Sequence, residues 1–187
     1  MKISILLPYK ENFSSSYAGA VSLFLNDTIK LSKYKKFIKI FGNTNFKKDI
    51  LPNKYINLPF NKSLFQSSTK KYLDQFLKYE YTKNSDLIEI HNRPIYIEKI
   101  FKLNKNIVLY FHNDPLSQKG AILKKDRIKI LNSTKKIIFI SNWVKNRFFH
   151  GLENFKKIQN NYEIIPHSIN KVSVNIKKKK EIIVFVG

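Results

Sequence analysis

A short apolar run that ends abruptly in polar residues, NIVLYFHNDP at Asn106–Pro115, constrains the fold of this chain more than any other stretch. Its apolar part, IVLYF, is too short for a helix and has the right length for a buried strand. Pro115 cannot continue a central strand, so the chain must leave the sheet there. His112, Asn113 and Asp114 are thereby predicted at the carboxyl end of a strand, where open α/β sheets bind ligands. A polar turn after a core strand is the competing interpretation, and this stretch alone leaves both open.

Similar apolar runs recur along the chain and are separated by segments with helical periodicity. We predict helices from Tyr17 to about Tyr34, from a capping box at Ser63–Gln66 to Glu80, from Pro94 to about Leu103, over Ala121–Leu131 and from Ser141-Asn142 onward. The predicted strands are Ile3–Leu7, Phe37–Phe41, Tyr55–Leu58, Asp86–Ile90, Ile107–Phe111, Lys136–Ile140 and Tyr162–Ile165. This alternation predicts an α/β fold with a Rossmann-like, doubly wound parallel sheet.

Composition limits the classes of protein that fit this pattern. With 187 residues, of which 43% are hydrophobic, the chain can bury a substantial core and is not disordered in character. The absence of cysteine excludes disulfides and thiolate metal sites. No apolar run has the length needed to span a bilayer, and MKISILLPYK at the start is typical of a first strand, not of a signal peptide.

The formal net charge of +22 raises nucleic acid or an anionic membrane as partners. Almost all of the basic residues are lysines, however, and the only arginines are Arg93, Arg127 and Arg147. Surfaces that read bases or clamp phosphates favour the planar fork of arginine. Because the lysines are spread over the whole chain, we interpret much of the charge as a composition bias, with the remainder favouring adhesion to an anionic surface.

A loop of small residues, Ala18-Gly19-Ala20, precedes the first predicted helix. Such a loop lets a ligand approach the backbone where a helix N-terminus presents free N–H groups. The stretch is not GxGxxG, so the dinucleotide-binding fingerprint is absent. Close packing of the helix on the sheet explains the small residues equally well, and both interpretations stay open.

Two further polar clusters follow predicted strands. His91 and Arg93 come directly after the fourth strand, and Ser141 and Asn142 follow the sixth. These clusters are candidates for the same sheet edge as His112, although helix capping alone explains Ser141. Other chemistry fits poorly, since HExxH, GxSxG and P-loop motifs are missing and only 13 residues are acidic.

The C-terminal part of the sequence predicts a domain boundary. Four consecutive lysines, Lys177–Lys180, have linker character, and the apolar strand EIIVFVG follows at Glu181–Gly187. A buried strand of this kind needs further structure to cover it. We therefore expect a domain over residues 1–170, a basic linker over 171–180, and the first strand of a second domain at 181–187.

Taken together, these segments resemble the N-terminal, acceptor-side domain of a retaining glycosyltransferase of family 4, with the GT-B architecture of two Rossmann-like domains. The first loop departs from the family by having one glycine where paired glycines are usual. The segments that carry the resemblance are Ala18-Gly19-Ala20, DLIEIHNRP at 86–94, VLYFHNDP at 108–115, KKIIFISNWVKNRF at 135–148, EIIPHSINK at 163–171 and IIVFVG at 182–187.

The resemblance implies a hexosyltransferase that moves a sugar from a nucleotide-sugar co-substrate to a cell-surface glycan, such as a lipopolysaccharide or polysaccharide precursor. It implies no metal and no other cofactor, and a cytoplasmic protein with peripheral contact to the inner face of the plasma membrane. It also implies that this chain alone is inactive, because the second domain normally carries the donor site. A non-catalytic polyanion-binding domain and a stand-alone Rossmann-like ligand-binding module are the alternatives.

Site roles follow from the same resemblance. His112 is expected to face the transferred sugar, with Asp114 as a candidate partner that fixes its ring. The loop at Gly19 and Ala20 is expected to approach the donor phosphates or the acceptor. Weaker candidates for substrate contacts are His91, Arg93, Asn113, Asp114, Ser141 and Asn142. We expect a structural role for His167, near the domain junction, and a helix-terminal position without chemistry for His150.

Overall fold

The computed structural model describes residues 1–44, 50–51, 54–61, 66–103, 106–158 and 160–167. The predicted linker and second-domain strand at 171–187 therefore lie outside the described residues, as do positions 63–65 of the predicted capping box.

Seven parallel strands form a single sheet in the order β3-β2-β1-β4-β5-β6-β7. After β3 the chain returns to the other side of β1, so a topological switch point lies between β1 and β4, where α/β sheets open a crevice at the carboxyl edge. The predicted Rossmann-like α/β fold is confirmed. The strands are β1 (Ile3–Leu6), β2 (Ile38–Gly42), β3 (Tyr55–Asn57), β4 (Leu87–His91), β5 (Asn106–Phe111), β6 (Lys136–Phe139) and β7 (Tyr162–Ile164).

Six α-helices are described between these strands, with 3₁₀ turns at Lys35–Phe37, Pro94–Tyr96, Phe101–Leu103 and Pro115–Ser117. The α-helices are α1 (Ala20–Leu31), α2 (Ser68–Lys83), α3 (Ile97–Ile100), α4 (Lys124–Ser133), α5 (Asn142–Phe149) and α6 (Glu153–Ile158).

Several predicted helix boundaries were wrong. The helix α2 begins at Ser68, where the Ser67 hydroxyl accepts from the Lys70 N–H at 3.3 Å, and not at the capping box predicted from Ser63. The helix α4 begins at Lys124, three residues later than expected. The short helix α6 was not predicted at all, because six residues carry too little periodic signal.

Both faces of the sheet are covered. The helix α1 buries Val21, Leu25 and Ile29 against apolar residues of β1 and β2. A larger core lies on the other face, where Tyr72 of α2 is fully buried. Its hydroxyl supplies a hydrogen bond to a backbone carbonyl at the carboxyl end of the sheet, donating to Leu7 at 3.0 Å or to Phe41 at 3.1 Å.

The apolar stripe predicted for α2 includes one acidic residue, Glu80, which is 1% exposed. Its Oε1 accepts from the hydroxyls of Ser4 at 2.5 Å and Ser85 at 2.9 Å, and its Oε2 accepts from the Ser85 N–H at 3.1 Å. These bonds satisfy the buried carboxyl group and tie the end of α2 to β1.

Among the described residues, no helix is both long enough and apolar enough to cross a membrane.

Candidate functional site

A cleft of about 420 Å³ opens at the carboxyl edge of the sheet, beside the switch point. The ends of five strands and the start of α1 form its walls, because the carboxyl ends of parallel strands meet at one edge. Sequence reasoning placed His112 at this edge, and the structure confirms that position. The residues that line the cleft are Pro8, Glu11, Ala20, Val21, Asn92, Arg93, His112, Asn113, Ile140 and His167.

Three histidines and a glutamate form a continuous hydrogen-bonded row along one wall. Glu89 Oε1 lies 2.7 Å from His91 Nε2, and His91 Nδ1 lies 2.8 Å from His112 Nε2. The row ends with His167 Nε2, which is 2.6 Å from His112 Nδ1. The alternation of side chains along β4 and β5 produces this row, since Glu89, His91 and His112 all point to the face that α1 covers.

Aromatic rings hold the row in place. Tyr110 stacks on His91 with ring centroids 4.8 Å apart. On the other side, Phe24 of α1 meets His112 edge-on at 5.2 Å and stacks on His167 at 4.8 Å. These contacts shield the inner part of the row from water, and His91 is fully buried.

The environment of His112 keeps its imidazole neutral. Burial, followed by the neighbouring His91 and His167, lowers the pKa of His112 from 6.5 to about 2. Burial also lowers the pKa of His167, although that side chain is on the exposed side of the row. Because both ring nitrogens of His112 are hydrogen-bonded to other histidines, a ring nitrogen of His112 reaches a ligand only if one of them moves.

Asn92 was not among the predicted site residues, but it organises the cleft. It adopts a left-handed conformation with φ of 50°. Its side-chain Oδ1 accepts from the backbone N–H of His112 at 2.8 Å and from Gln118 Nε2 at 3.2 Å. Asparagine adopts a left-handed backbone conformation more readily than most residues, because its side chain is short and polar. An asparagine directly after a strand was therefore the sequence signal for this turn.

The predicted pairing of Asp114 with His112 is wrong. Asp114 caps the 3₁₀ turn after β5 by accepting from the Leu116 N–H at 3.0 Å, and it binds Arg147 of α5 through Nη2 at 2.9 Å. The hydrogen bond from Arg147 lowers the pKa of Asp114, which favours the carboxylate form. Asn113, in contrast, lines the cleft.

The loop before α1 carries a carboxylate that sequence reasoning missed. Glu11 Oε1 accepts from the Ser22 N–H at 3.1 Å and from the Ser22 hydroxyl at 3.1 Å, at the first turn of α1. A Cβ atom on Gly19 would overlap this carboxylate, so the absence of a side chain at position 19 lets Glu11 reach Ser22. The free N–H groups expected for a ligand are thus partly occupied by Glu11, while Ala20 lines the cleft.

Of the three remaining candidates, Arg93 lines the cleft, whereas Ser141 and Asn142 do not. Arg93 lines it and donates from Nη1 to the Asn92 carbonyl at 2.7 Å. The Ser141 hydroxyl caps α5 by accepting from the Val144 N–H at 3.2 Å, and the Asn142 Oδ1 accepts from Lys145 Nζ at 2.9 Å. Neither Ser141 nor Asn142 is among the described residues that line the cleft, and their substrate contacts stay a prediction.

The two other predictions on histidines had different outcomes. His150 ends α5 as its C-cap, as expected. His167 was expected to be structural near a domain junction, but the structure places it in the cleft as the outer member of the row. Across the described ranges, no group of three or more His, Cys, Asp or Glu side chains has an arrangement that would hold a metal ion.

No protein-family model and no curated protein matches the sequence. Among solved structures, the chain is similar to the apo form of WaaB, a lipopolysaccharide outer core galactosyltransferase, with a TM-score of 0.59 and 15% identity over 94% of this chain and 47% of that one. A UGT transferase from Siraitia grosvenorii in complex with UDP matches with a TM-score of 0.49 and 9% identity, over 92% of this chain and 50% of that one. The chain thus spans about half the length of these structures, and the described residues share a Rossmann-like α/β fold with WaaB over that length.

Proposed function

We propose that this chain is the acceptor-side part of a GT-B glycosyltransferase, and that its cleft holds the acceptor of a sugar-transfer reaction. The observation that carries the proposal is the convergence of five strand ends and the start of α1 on one polar cleft, in a fold shared with half of WaaB. Polar side chains around a concave site of this size suit the hydroxyl groups of a glycan.

The finer assignments belong to the same proposal. We assign the enzyme to the retaining, hexosyl-transferring family 4 type, using a nucleotide-sugar donor without a metal and a lipopolysaccharide or polysaccharide precursor as acceptor. The lipopolysaccharide activity printed for WaaB supports this acceptor class. A cytoplasmic location at the inner face of the plasma membrane follows, because nucleotide sugars and membrane-linked glycan precursors meet there, and the net charge of +22 favours that anionic surface.

The donor is proposed to bind mainly to a second domain. We keep the boundaries expected from the sequence, with the acceptor-side domain over residues 1–170, a linker over 171–180 and the start of that second domain at 181–187. Coverage of only 47% of WaaB supports a donor-binding domain in a longer polypeptide, without bearing on these boundaries. Glu11 at the start of α1 supports it too, since a carboxylate in that position repels a diphosphate. Catalysis requires both substrates in one cleft, so the 187-residue chain is expected to bind acceptor without turning over a sugar nucleotide.

Two measurements test the proposal. Titration of the 187-residue chain with lipid-linked and polysaccharide precursors should show binding that shifts NMR signals of Asn92, Asn113 and His112, which line the cleft. A longer polypeptide that includes a donor-binding domain should transfer radiolabelled sugar from a panel of nucleotide sugars. Failure of every glycan to bind, together with no transfer by the longer polypeptide, would overturn the proposal.

His112 is the first residue to vary in the longer polypeptide. His112→Ala should lower turnover by about tenfold to a thousandfold, the range for loss of one positioned polar group. Because His112 is only 8% exposed and hydrogen-bonded at both ring nitrogens, the melting temperature should also fall, so activity is to be compared per folded molecule. His150→Ala is the control, since His150 is exposed at the end of α5. Normal turnover per folded molecule of His112→Ala would remove His112 from the site.

A further inference from the structure

The hydrogen bonds along the histidine row all donate in the same direction, toward Glu89, and Glu89 sets that direction. A carboxylate only accepts hydrogen bonds, so His91 must carry its proton on Nε2, which faces Glu89. In neutral His91, Nδ1 is then an acceptor and receives the Nε2 proton of His112. Neutral His112 in turn accepts at Nδ1 from the Nε2 proton of His167. Each neutral ring therefore takes the Nε2–H tautomer.

One ring nitrogen is left over at the outer end of the row. In the Nε2–H tautomer, Nδ1 of His167 has a lone pair, and none of the described residues makes a hydrogen bond to it. His167 lines the cleft and is exposed, whereas His91 at the inner end is fully buried. The lone pair at Nδ1 is thus the part of the row that a ligand can reach without breaking a hydrogen bond of His112.

We propose that Nδ1 of His167 is the proton acceptor for a substrate hydroxyl in this cleft, and that His112, His91 and Glu89 form a proton relay behind it. The inference rests on the proposed function, in which that hydroxyl belongs to the acceptor glycan. It makes His167 the catalytic residue of the row and gives Glu89 and His91 positioning roles that the sequence did not predict.

The transfer balances in protons and charge. The O–H bond of the acceptor breaks as an N–H bond forms at His167 Nδ1. His167 passes its Nε2 proton to His112 Nδ1, and His112 passes its Nε2 proton to His91 Nδ1, so the positive charge comes to rest on His91 against the Glu89 carboxylate. The acceptor oxygen bonds to the anomeric carbon on the face that the diphosphate leaves, as a retaining transfer in one step requires. That carbon's bond to the diphosphate breaks at the same time, and the electron pair leaves with the diphosphate.

The surroundings fit this route. Burial and its histidine neighbours oppose a lasting charge on His112. A lasting charge on His91 is offset by Glu89 at 2.7 Å, whose side chain is 17% exposed. Other charged groups lie in the same region, and two of them, Glu11 and Arg93, line the cleft. Burial raises the pKa of Tyr110, which stacks on His91, and the nearby carboxylates of Glu89 and Glu163 raise it further.

The first experiment reads the tautomers directly and needs no activity. Long-range ¹H–¹⁵N spectra of the ¹⁵N-histidine-labelled 187-residue chain at neutral pH should show the Nε2–H tautomer for His91, His112 and His167. His150, which is exposed at the end of α5 and lies outside the row, serves as the internal control. A protonated Nδ1 on neutral His167 would overturn the proposal, because this ring nitrogen would then be a hydrogen-bond donor and could not accept a proton from a substrate hydroxyl.

The second experiment compares two variants in the transferase that includes a donor-binding domain. His167→Gln keeps an N–H that can donate to His112 Nδ1 but has no second ring nitrogen, whereas His167→Ala loses both. If Nδ1 accepts the proton, both variants lose about a hundredfold or more in kcat with little change in KM. Recovery of kcat in His167→Gln would reduce His167 to a positioning residue and overturn the proposal.

A third variant tests the inner end of the relay. Glu89→Gln still accepts from His91 Nε2–H but removes the negative charge, so the acid limb of the kcat/KM profile should shift and kcat should fall by about tenfold. An unchanged profile would refute the relay. Absence of transfer by the wild-type transferase would instead refute the proposed function. The tautomer measurement would still decide in which direction the hydrogen bonds of the row donate.

Discussion

The guanidinium of Arg147 on α5 binds the carboxylate of Asp114 through two nitrogens, with Nη2 at 2.9 Å and Nε at 3.1 Å from Oδ2. The same carboxylate caps the 3₁₀ turn after β5. This pair fastens the loop that follows His112 to α5, and Asn113 of the same loop lines the cleft. Its role explains why Asp114 does not orient the imidazole next to it.

Asp114→Ala should therefore affect stability more than chemistry. Loss of the cap alone costs about 1 kcal/mol, and the melting temperature should fall by several degrees. Thermal unfolding checks this, with Asn113→Ala as the neighbouring control, because Asn113 is exposed. The double variant with Arg147→Ala and Asp114→Ala completes the test. If it lowers the melting temperature by the sum of the two single effects, the two side chains do not act as a pair.

Substitution of the buried Arg127 should strongly destabilise the fold. It is 2% exposed, and its guanidinium donates to the carbonyls of Ala121 at 2.9 Å, Ile122 at 2.7 Å and His150 at 2.8 Å. Arg127→Met leaves these carbonyls without their donor and should lower the free energy of unfolding by roughly 2–4 kcal/mol.

Urea denaturation of Arg127→Met measures that loss. Lys125→Met is the matched control, because Lys125 is an exposed cation on the same helix and its loss should change stability by less than about 0.5 kcal/mol. Equal effects of the two substitutions would show that the buried guanidinium is not needed for the fold.

Acid should destabilise the protein through His112. Its pKa is about 2 in the folded chain and near 6.5 when unfolded, so between these values the unfolded chain binds a proton that the folded chain does not. The stability is thus fully present above about pH 6.5 and is lost as the pH falls toward the folded pKa. The expected slope reaches about 1.4 kcal/mol per pH unit for this one group.

Denaturation curves recorded from pH 7.5 to pH 5 test this dependence while most carboxylates stay charged. His112→Gln should flatten the slope, and the control His150→Gln should keep it. A wild-type slope that survives in His112→Gln would assign the acid sensitivity to another group.

Gly19→Ala should disturb the start of α1. The new Cβ would overlap the Glu11 carboxylate and push it away from Ser22. We expect a lower melting temperature and a shifted amide signal for Ser22, neither of which should occur with Ala18→Ser. Adding Glu11→Ala should recover part of the stability lost in Gly19→Ala, since the overlap is then relieved. No recovery would place the strain elsewhere.

Binding to duplex DNA should be weak, independent of sequence and steeply dependent on salt. All three arginines already make hydrogen bonds within the protein, Arg93 and Arg127 with backbone carbonyls and Arg147 with Asp114, so few guanidinium groups are available to clamp phosphates. Titration of labelled DNA at rising salt measures this. Tight, sequence-selective binding at physiological salt would favour the polyanion-binding alternative.

The sequence by itself determined the strands, their parallel sheet and the edge at which the site lies. Buried β-strands leave a local signature of apolar residues stopped by proline or polar residues, and the run ending at His112 shows it plainly. It also determined the cap at Ser141, because capping depends on neighbouring residues.

Only the tertiary structure decided which side chains meet. Glu89, His91, His112 and His167 come from β4, β5 and the segment after β7, and no local pattern reports the strand order β4-β5-β6-β7 that lets them form one row. The partner of Asp114 was decided in the same way, since Arg147 reaches it across 33 positions of sequence. Contacts between residues far apart in the chain depend on strand order and register, and these are set by the packing of the whole sheet.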